Sequence, residues 1–221
     1  GHGHSWSFAR SLLDTVMVTQ RTVPVCSRTG MATVEQVVLV DETGAAIGTA
    51  AKATVHGADT PLHLAFSCYL LNGAGEVLIS RRASAKRTWP GVWSNSCCGH
   101  PRPGEPFTRA IRRRLRDELG IAVGRLDPIL PQFRYRAVMA DGTAENELCP
   151  VFRAFALQGT TVRLNLDEVA EARWVPWAEL VALAADESLP ISPWCRSQVP
   201  ELVRLGDDPA AWPVAEIFPA C

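Results

Sequence analysis

The chain has 221 residues, 47% of them hydrophobic, and a formal net charge of −1. That size and content can bury a full core and suggest one decorated domain, while the near-neutral charge gives no global reason to expect a nucleic-acid or membrane-surface partner. Seven cysteines with no C-x-x-C pair argue against a disulfide framework or a four-cysteine zinc knuckle and for a reducing, cytoplasmic setting; no apolar run approaches the roughly 20 residues that span a bilayer.

The opening Gly1-His-Gly-His reads as part of an expression tag, and residues 1–32 read as an N-terminal tail in which Met17 and Met31 are alternative native starts. With His2 and His4 set aside, the body of the chain holds His56, His63 and His100. Glu35–Asp41 reads as a β-branched strand, and Leu64–Leu71 and Glu76–Arg82 flank Asn72-Gly-Ala-Gly as a hairpin. From Ala83 to Pro106 prolines and glycines break any period, which predicts a long loop of the kind that usually carries function. It contains Trp89-Pro-Gly-Val-Trp-Ser-Asn-Ser-Cys-Cys-Gly-His-Pro101, where thiol, imidazole and glycine meet. Phe107, Ala110, Ile111, Leu115 and Leu119 recur at helical spacing before Gly120, predicting a helix over 107–119 with five arginines on its polar face. Strands are predicted at Phe133–Val138, Glu147–Ala156 and Ala172–Val175, and helices at Trp177–Ala185 and after Pro193 in Ser192–Leu205. The reading is one α/β domain of the α+β kind over 33–205, built on a mixed or antiparallel sheet, with a C-terminal tail at 206–221.

Two patterns overlap at Gly99. Starting there, the chain runs Gly, five residues, Glu105, seven residues, then Arg113-Arg-Leu-Arg-Asp-Glu-Leu-Gly-Ile121. This resembles the Nudix box, in which helix carboxylates hold Mg²⁺ against diphosphate oxygens; Asp117 and Glu118 stand at those positions. Where Nudix hydrolases carry glutamate after the box arginine, this chain has Arg114. That exchange removes a metal ligand and adds a phosphate donor, favouring gripping of a diphosphate over its cleavage. Arg114 and Glu118, four apart on one helical face, also fit a plain surface ion pair worth ~0.3–0.5 kcal/mol.

Taken in order, His56-Gly-Ala-Asp-Thr-Pro-Leu-His63, Arg81-Arg82, Trp89-Pro-Gly-Val-Trp, Cys98-Gly-His100-Pro, Phe133-Arg-Tyr-Arg136, Glu145-Asn-Glu147-Leu-Cys-Pro150 and Ser192-Pro-Trp194 closely resemble the type I isopentenyl-diphosphate isomerases of the Nudix superfamily. The likeness runs from about residue 35 to 200. It implies a Nudix-like mixed sheet sandwiched between helices and a role in isoprenoid biosynthesis, interconverting isopentenyl and dimethylallyl diphosphate through a tertiary carbocation. It implies His56, His63, His100, Glu145 and Glu147 as ligands of a Mn²⁺, Mg²⁺ or Zn²⁺ ion. Glu118 and the Cys98 carbonyl are implied as a Mg²⁺ site at the substrate diphosphate. Cys98 and Glu147 are then the acid/base pair, Tyr135 and Trp194 their supports, and Lys52, Arg82, Lys86 and Arg114 the diphosphate-binding residues.

The residues alone point part of the way. Three imidazoles and two carboxylates form a mixed N/O set suited to a divalent ion, and Glu145 and Glu147, two apart on a strand, project to one face about 7 Å apart. Moving a double bond needs an acid and a base beside an apolar chain, and an indole face suits the cation between them. The residues before Met31 and the loop 83–106 are candidate lids that would exclude water from that cation. No flavin or dinucleotide fingerprint is present, the partner is a small allylic or homoallylic diphosphate, and a monomer or weak homodimer is expected. Two other readings stand: a Nudix hydrolase of a nucleoside diphosphate derivative, and a non-catalytic zinc-stabilised module using Cys98 and His100.

Overall fold

The computed structural model describes residues 34–216; the expected N-terminal tail, with Met17 and Met31, lies outside the described residues. In chain order the strands are β1 (Gln36–Val40), β2 (Ala46–Ala51), β3 (His63–Leu64), β4 (Phe66–Leu71), β5 (Val77–Arg82), β6 (Trp93–Ser94) and β7 (Cys97–Gly99). Helix α1 (Phe107–Leu119) follows, then β8 (Val123–Leu130), β9 (Arg134–Val138), β10 (Ala144–Leu148), β11 (Val151–Ala156) and β12 (Val169–Val175), and finally helices α2 (Trp177–Ala185) and α3 (Pro193–Val203). None of the described helices is long and apolar enough to cross a membrane.

The strands form two mixed sheets. One has the order β2-β1-β3-β10-β9; the other has β12-β5-β4-β11-β8, with β6 beside β5 and β7 beside β4. The β3–β10 and β4–β11 pairs are parallel and the others antiparallel. Every residue of β4 is buried, because helices cover both faces of its sheet. Alternation sorts its side chains: Phe66, Cys68 and Leu70 pack with Ile111, Leu115 and Leu119 of α1, whereas Tyr69 and Leu71 pack with Trp177 and Leu180 of α2 and Val199 and Leu202 of α3. Each such buried large side chain contributes ~1.5–3 kcal/mol before its entropy cost.

Helix α1 occupies the predicted span and ends where Gly120 turns left-handed at φ 67°, its N–H bonded to Arg116 O and that of Ile121 to Leu115 O. A Cβ at Gly120 would also lie 2.9 Å from Arg163 Cβ, so space and backbone both select glycine. Elsewhere the sequence periods miss short or interrupted elements. The predicted loop 83–106 contains β6 and β7, which are too short to show a period. The strand predicted over Glu147–Ala156 divides at Cys149-Pro150, where the chain leaves one sheet for the other, a place that tolerates proline's missing N–H. Strand β8, unpredicted, carries Gly124 and Pro128 and pairs with β11 through register shifts.

Residues after 205, expected as a tail, return across the second sheet as far as they are described. A 3₁₀ turn at Pro209–Ala211 precedes Trp212, which is buried with its ring 5.0 Å from that of Trp177. The buried Arg153 guanidinium donates to the carbonyls of Pro209, Ala210 and Trp212 and pairs with Asp127 at 2.7 Å.

Candidate active site

Strand register assembles the site. Glu147 on β10 stands opposite His63 of β3 on one side and Tyr135 of β9 on the other, so three functional side chains share one row across the first sheet. In the second sheet β7 sets Cys98 opposite Ser67 of β4. A cleft of about 430 Å³ opens over these rows. Cys98, Glu147, Tyr135, Trp194, Lys52, Arg82, Lys86, Arg114, His56, His100, Glu145 and Glu118 all line it. His63 lies behind the wall, fully buried, its ring 5.2 Å from His56 and 5.1 Å from His100.

His56, His63, His100 and Glu147 each present a ligand atom within 4.8 Å of the others. Nε2 of His56, Nε2 of His63 and Nδ1 of His100 are buried without a hydrogen-bond partner, an arrangement that protein interiors avoid unless something fills it. His63 Nδ1 donates to Pro61 O at 2.9 Å, which leaves Nε2 as the lone-pair nitrogen. Burial pushes His56 down to about 4 and lowers His100, so both rings are neutral donors at physiological pH. Burial also opposes charge on His63, but the Glu147 carboxylate 3.5 Å away holds its pKa above the ordinary value. This donor set fits a divalent ion. Glu145 stands outside the group of four, joined to it through Tyr135, whose hydroxyl lies 2.6 Å from Glu145 Oε2 and 2.9 Å from Glu147 Oε2. One hydroxyl hydrogen serves one carboxylate at a time. Burial and the charge of Glu147 push Glu145 up to about 7, so a proton on Glu145 completes the second contact.

The Cys98 thiol donates to Asn95 Oδ1 at 3.1 Å and lies 3.4 Å from Ser67 Oγ. Burial pushes it up to about 12, which keeps it a neutral thiol. Burial would raise Glu147 as well, but the hydrogen bond to His100, at 3.1 Å, and the His63 imidazole 3.5 Å away hold it below the carboxylate range. The Trp194 indole N–H is shared between Ser94 Oγ at 2.8 Å and Asn95 Oδ1 at 3.1 Å. Asn95 itself is fixed by Nδ2 donating to Cys68 O and Cys97 O, each at 3.0 Å. One carboxamide thus orients both thiol and indole. Sequence reading missed Asn95, since a polar Ser-Asn-Ser run looks like any turn. Around Trp194 stand the rings of Tyr135 and Trp89, both at 5.9 Å, and the Arg82 guanidinium at 5.3 Å.

The far end of the cleft is ionic. Arg114 pairs with the buried Glu118 on its own helix and reaches Glu168 at 3.0 Å, while Lys86 meets the same Glu168 at 2.5 Å. Burial raises the Glu118 pKa against the attraction of Arg114. Lys52 pairs with Glu35 at 2.8 Å, and Arg82 donates to the carbonyls of Thr88 and Trp89. Asp117, read from the box as a second metal-reaching carboxylate, instead faces solvent beside Arg116 at 3.2 Å, because its helical position points away from the cleft. Glu105 and Arg113, the outer residues of the box, clasp each other through bonds of 2.9 and 2.7 Å and tie the loop to α1. Glu168, another residue the sequence did not flag, sits in an acidic turn with no motif around it.

This fold and cleft define a Nudix-domain protein: residues 61–195 match the NUDIX domain. Among solved structures, one from Deinococcus radiodurans has a TM-score of 0.59 at 19% identity, covering 76% of this chain and 98% of its own. The MutT protein from Methanosarcina mazei gives 0.53 at 20% identity, covering 66% and 96%, again a likeness of fold alone. Curated relatives define the family more narrowly. The isopentenyl-diphosphate Delta-isomerase of Saccharopolyspora erythraea is 56% identical over 182 residues, 82% of this chain and 93% of that protein. Its counterpart in Rhizobium rhizogenes is 53% identical over 182 residues, 82% of this chain and 87% of that protein. The chain belongs to the isopentenyl-diphosphate Delta-isomerase family.

Proposed function

We propose that the protein interconverts isopentenyl diphosphate and dimethylallyl diphosphate by proton addition and proton loss through a tertiary carbocation. The observation that carries this reading is that the Cys98 thiol and the Glu147 carboxyl line one cleft with the Trp194 indole, while cationic side chains line its other end.

Lys86 and Arg114, with Lys52 and Arg82, bind the diphosphate and fix the position of the five-carbon chain. Glu118 and the Cys98 carbonyl would hold Mg²⁺ at the diphosphate, and His56, His63, His100 and Glu147, with Glu145 beside them, would hold the second divalent ion, Mn²⁺, Mg²⁺ or Zn²⁺. When bound, such ions would supply charge neutralisation of the diphosphate and would make a proton held at Glu147 more acidic. One member of the Cys98–Glu147 pair adds a proton at the terminal alkene carbon and the other removes one from C2, so no proton is gained or lost overall. Tyr135 steadies both glutamates and the Trp194 face shields the cation, a role for which indole is the best aromatic.

Incubating isopentenyl diphosphate with the protein and Mg²⁺, followed by NMR, tests this. Dimethylallyl diphosphate should appear without added flavin, and Cys98→Ala and Glu147→Gln should each lose about 10²–10⁴-fold in kcat. No conversion by wild type, or undiminished conversion by both variants, overturns the assignment; release of inorganic phosphate would point to a hydrolase.

A further inference from the structure

Glu168 lies on the turn just before β12, with its backbone pinned: its N–H donates to Asn165 O at 3.0 Å and its carbonyl accepts from Ala83 N–H at 3.0 Å. From this fixed point the side chain reaches the ionic end of the cleft. A single oxygen, Oε2, receives both Lys86 Nζ at 2.5 Å and Arg114 Nη2 at 3.0 Å. An oxygen bridging a lysine and an arginine stands where a phosphate oxygen would stand. Arg114 also pairs with Glu118, and its buried Nε has no partner, so this guanidinium keeps a donor in reserve.

A carboxylate and a diphosphate therefore compete for the same two cations. When the diphosphate takes Lys86 and Arg114, Glu168 and Glu118 lose their counter-ions in a partly desolvated cleft, where unpaired charge is costly. A metal-free diphosphate brings only more negative charge to that place. A divalent cation arriving with it restores the balance.

Resting on the diphosphate reading above, we propose that Glu168 is a resident counter-anion: in the free protein it holds a phosphate-oxygen position, and it makes capture of the diphosphate conditional on an accompanying divalent cation. It is a specificity residue, since it selects the metal-chelated diphosphate over the free one.

The test is calorimetric titration of inorganic pyrophosphate into the protein as purified, with and without added Mg²⁺. Wild type should bind at least about tenfold more tightly with Mg²⁺, and Glu168→Gln should tighten magnesium-free binding by about tenfold or more, shrinking the Mg²⁺ dependence to about threefold or less. Glu168→Asp, one methylene too short to bridge both cations, should move in the same direction and serves if the glutamine variant melts early. An unchanged Mg²⁺ dependence in the folded variants, or weaker binding in both buffers, overturns the proposal, the latter showing that Glu168 only props Lys86 and Arg114. Failure of wild type to bind pyrophosphate even with Mg²⁺ would instead bring down the diphosphate reading itself.

Discussion

At Gly99 the chain passes so close to helix α1 that a Cβ would lie 3.1 Å from Arg114 Cγ, 3.3 Å from its Nε and 3.3 Å from Phe66 Cζ. The ring is held by the core, so the arginine must yield. Gly99→Ala should raise KM for the diphosphate several-fold with a smaller fall in kcat, and cost ~1–3 kcal/mol in a denaturant melt through overpacking. An unchanged KM would mean that Arg114 does not contact the substrate. Asn95→Leu keeps the shape but removes the acceptor for Cys98 and Trp194 and the donors for two buried carbonyls. A stability loss of ~1–3 kcal/mol per orphaned group is expected, together with a fall in kcat larger than any change in KM; steady-state kinetics beside a thermal melt separates the two effects. Cys98, the three histidines and the paired glutamates, which the fold brings together, could be singled out in the sequence because their chemistry is rare and their spacing specific. Asn95 and Glu168 were not. Asn95 acts on Trp194 across 99 positions and Glu168 on Lys86 across 82, and ordinary turn residues acquire such roles only once the chain is folded.

Among the elements, α1 and α2 were legible to their last residue, because thirteen and nine positions give a helical period room to show. Strands of two or three residues give none, so β7, which carries Cys98, was read as loop. The docked segment around Trp212 was equally silent: its anchor, Arg153, looks in sequence like a charged residue in an apolar strand. Burial would raise the Asp127 pKa, yet hydrogen bonds from Arg153 and Arg125 hold it below the usual value. A depressed carboxylate contributes stability that is complete above its unfolded pKa of ~3.9 and is lost as pH falls through the folded value. Acidification below about pH 4 should therefore loosen Pro209–Trp212, read as a change in tryptophan emission that is absent in Trp212→Phe. Arg153→Met, which leaves the buried Asp127 only the exposed Arg125 as a partner and takes the donor from three carbonyls, should cost ~3–5 kcal/mol at neutral pH. A melt unchanged from wild type would show that the pair anchors nothing.

At the scale of the whole molecule, the two cores on either side of the second sheet are made of aliphatic and aromatic side chains and do not depend on an ion. Metal removal should therefore lower the melting temperature without unfolding the protein at 25 °C, as far-UV circular dichroism would show. Restoring Mn²⁺ or Zn²⁺ at about a hundred times Kd should return ~2.7 kcal/mol, or about 5–10 °C for a chain of this size. Loss of secondary structure on chelation would instead revive the zinc-stabilised module. The layering of helices about a mixed sheet could be read from the sequence, whereas the division of the strands between two sheets could not, because one apolar run serves both on either side of Pro150.

The two parallel pairings join segments from the first third of the chain to segments beyond residue 140, and contacts of such long sequence separation form late and slowly. A chain still emerging from the ribosome as far as β9 already carries every imidazole and the Cys98 thiol, but neither Glu145 nor Glu147, and β3 is paired only with β1 on one side. Until β10 arrives, that thiol has no finished cleft around it, and oxidants meet it more readily during synthesis or refolding than at any later time.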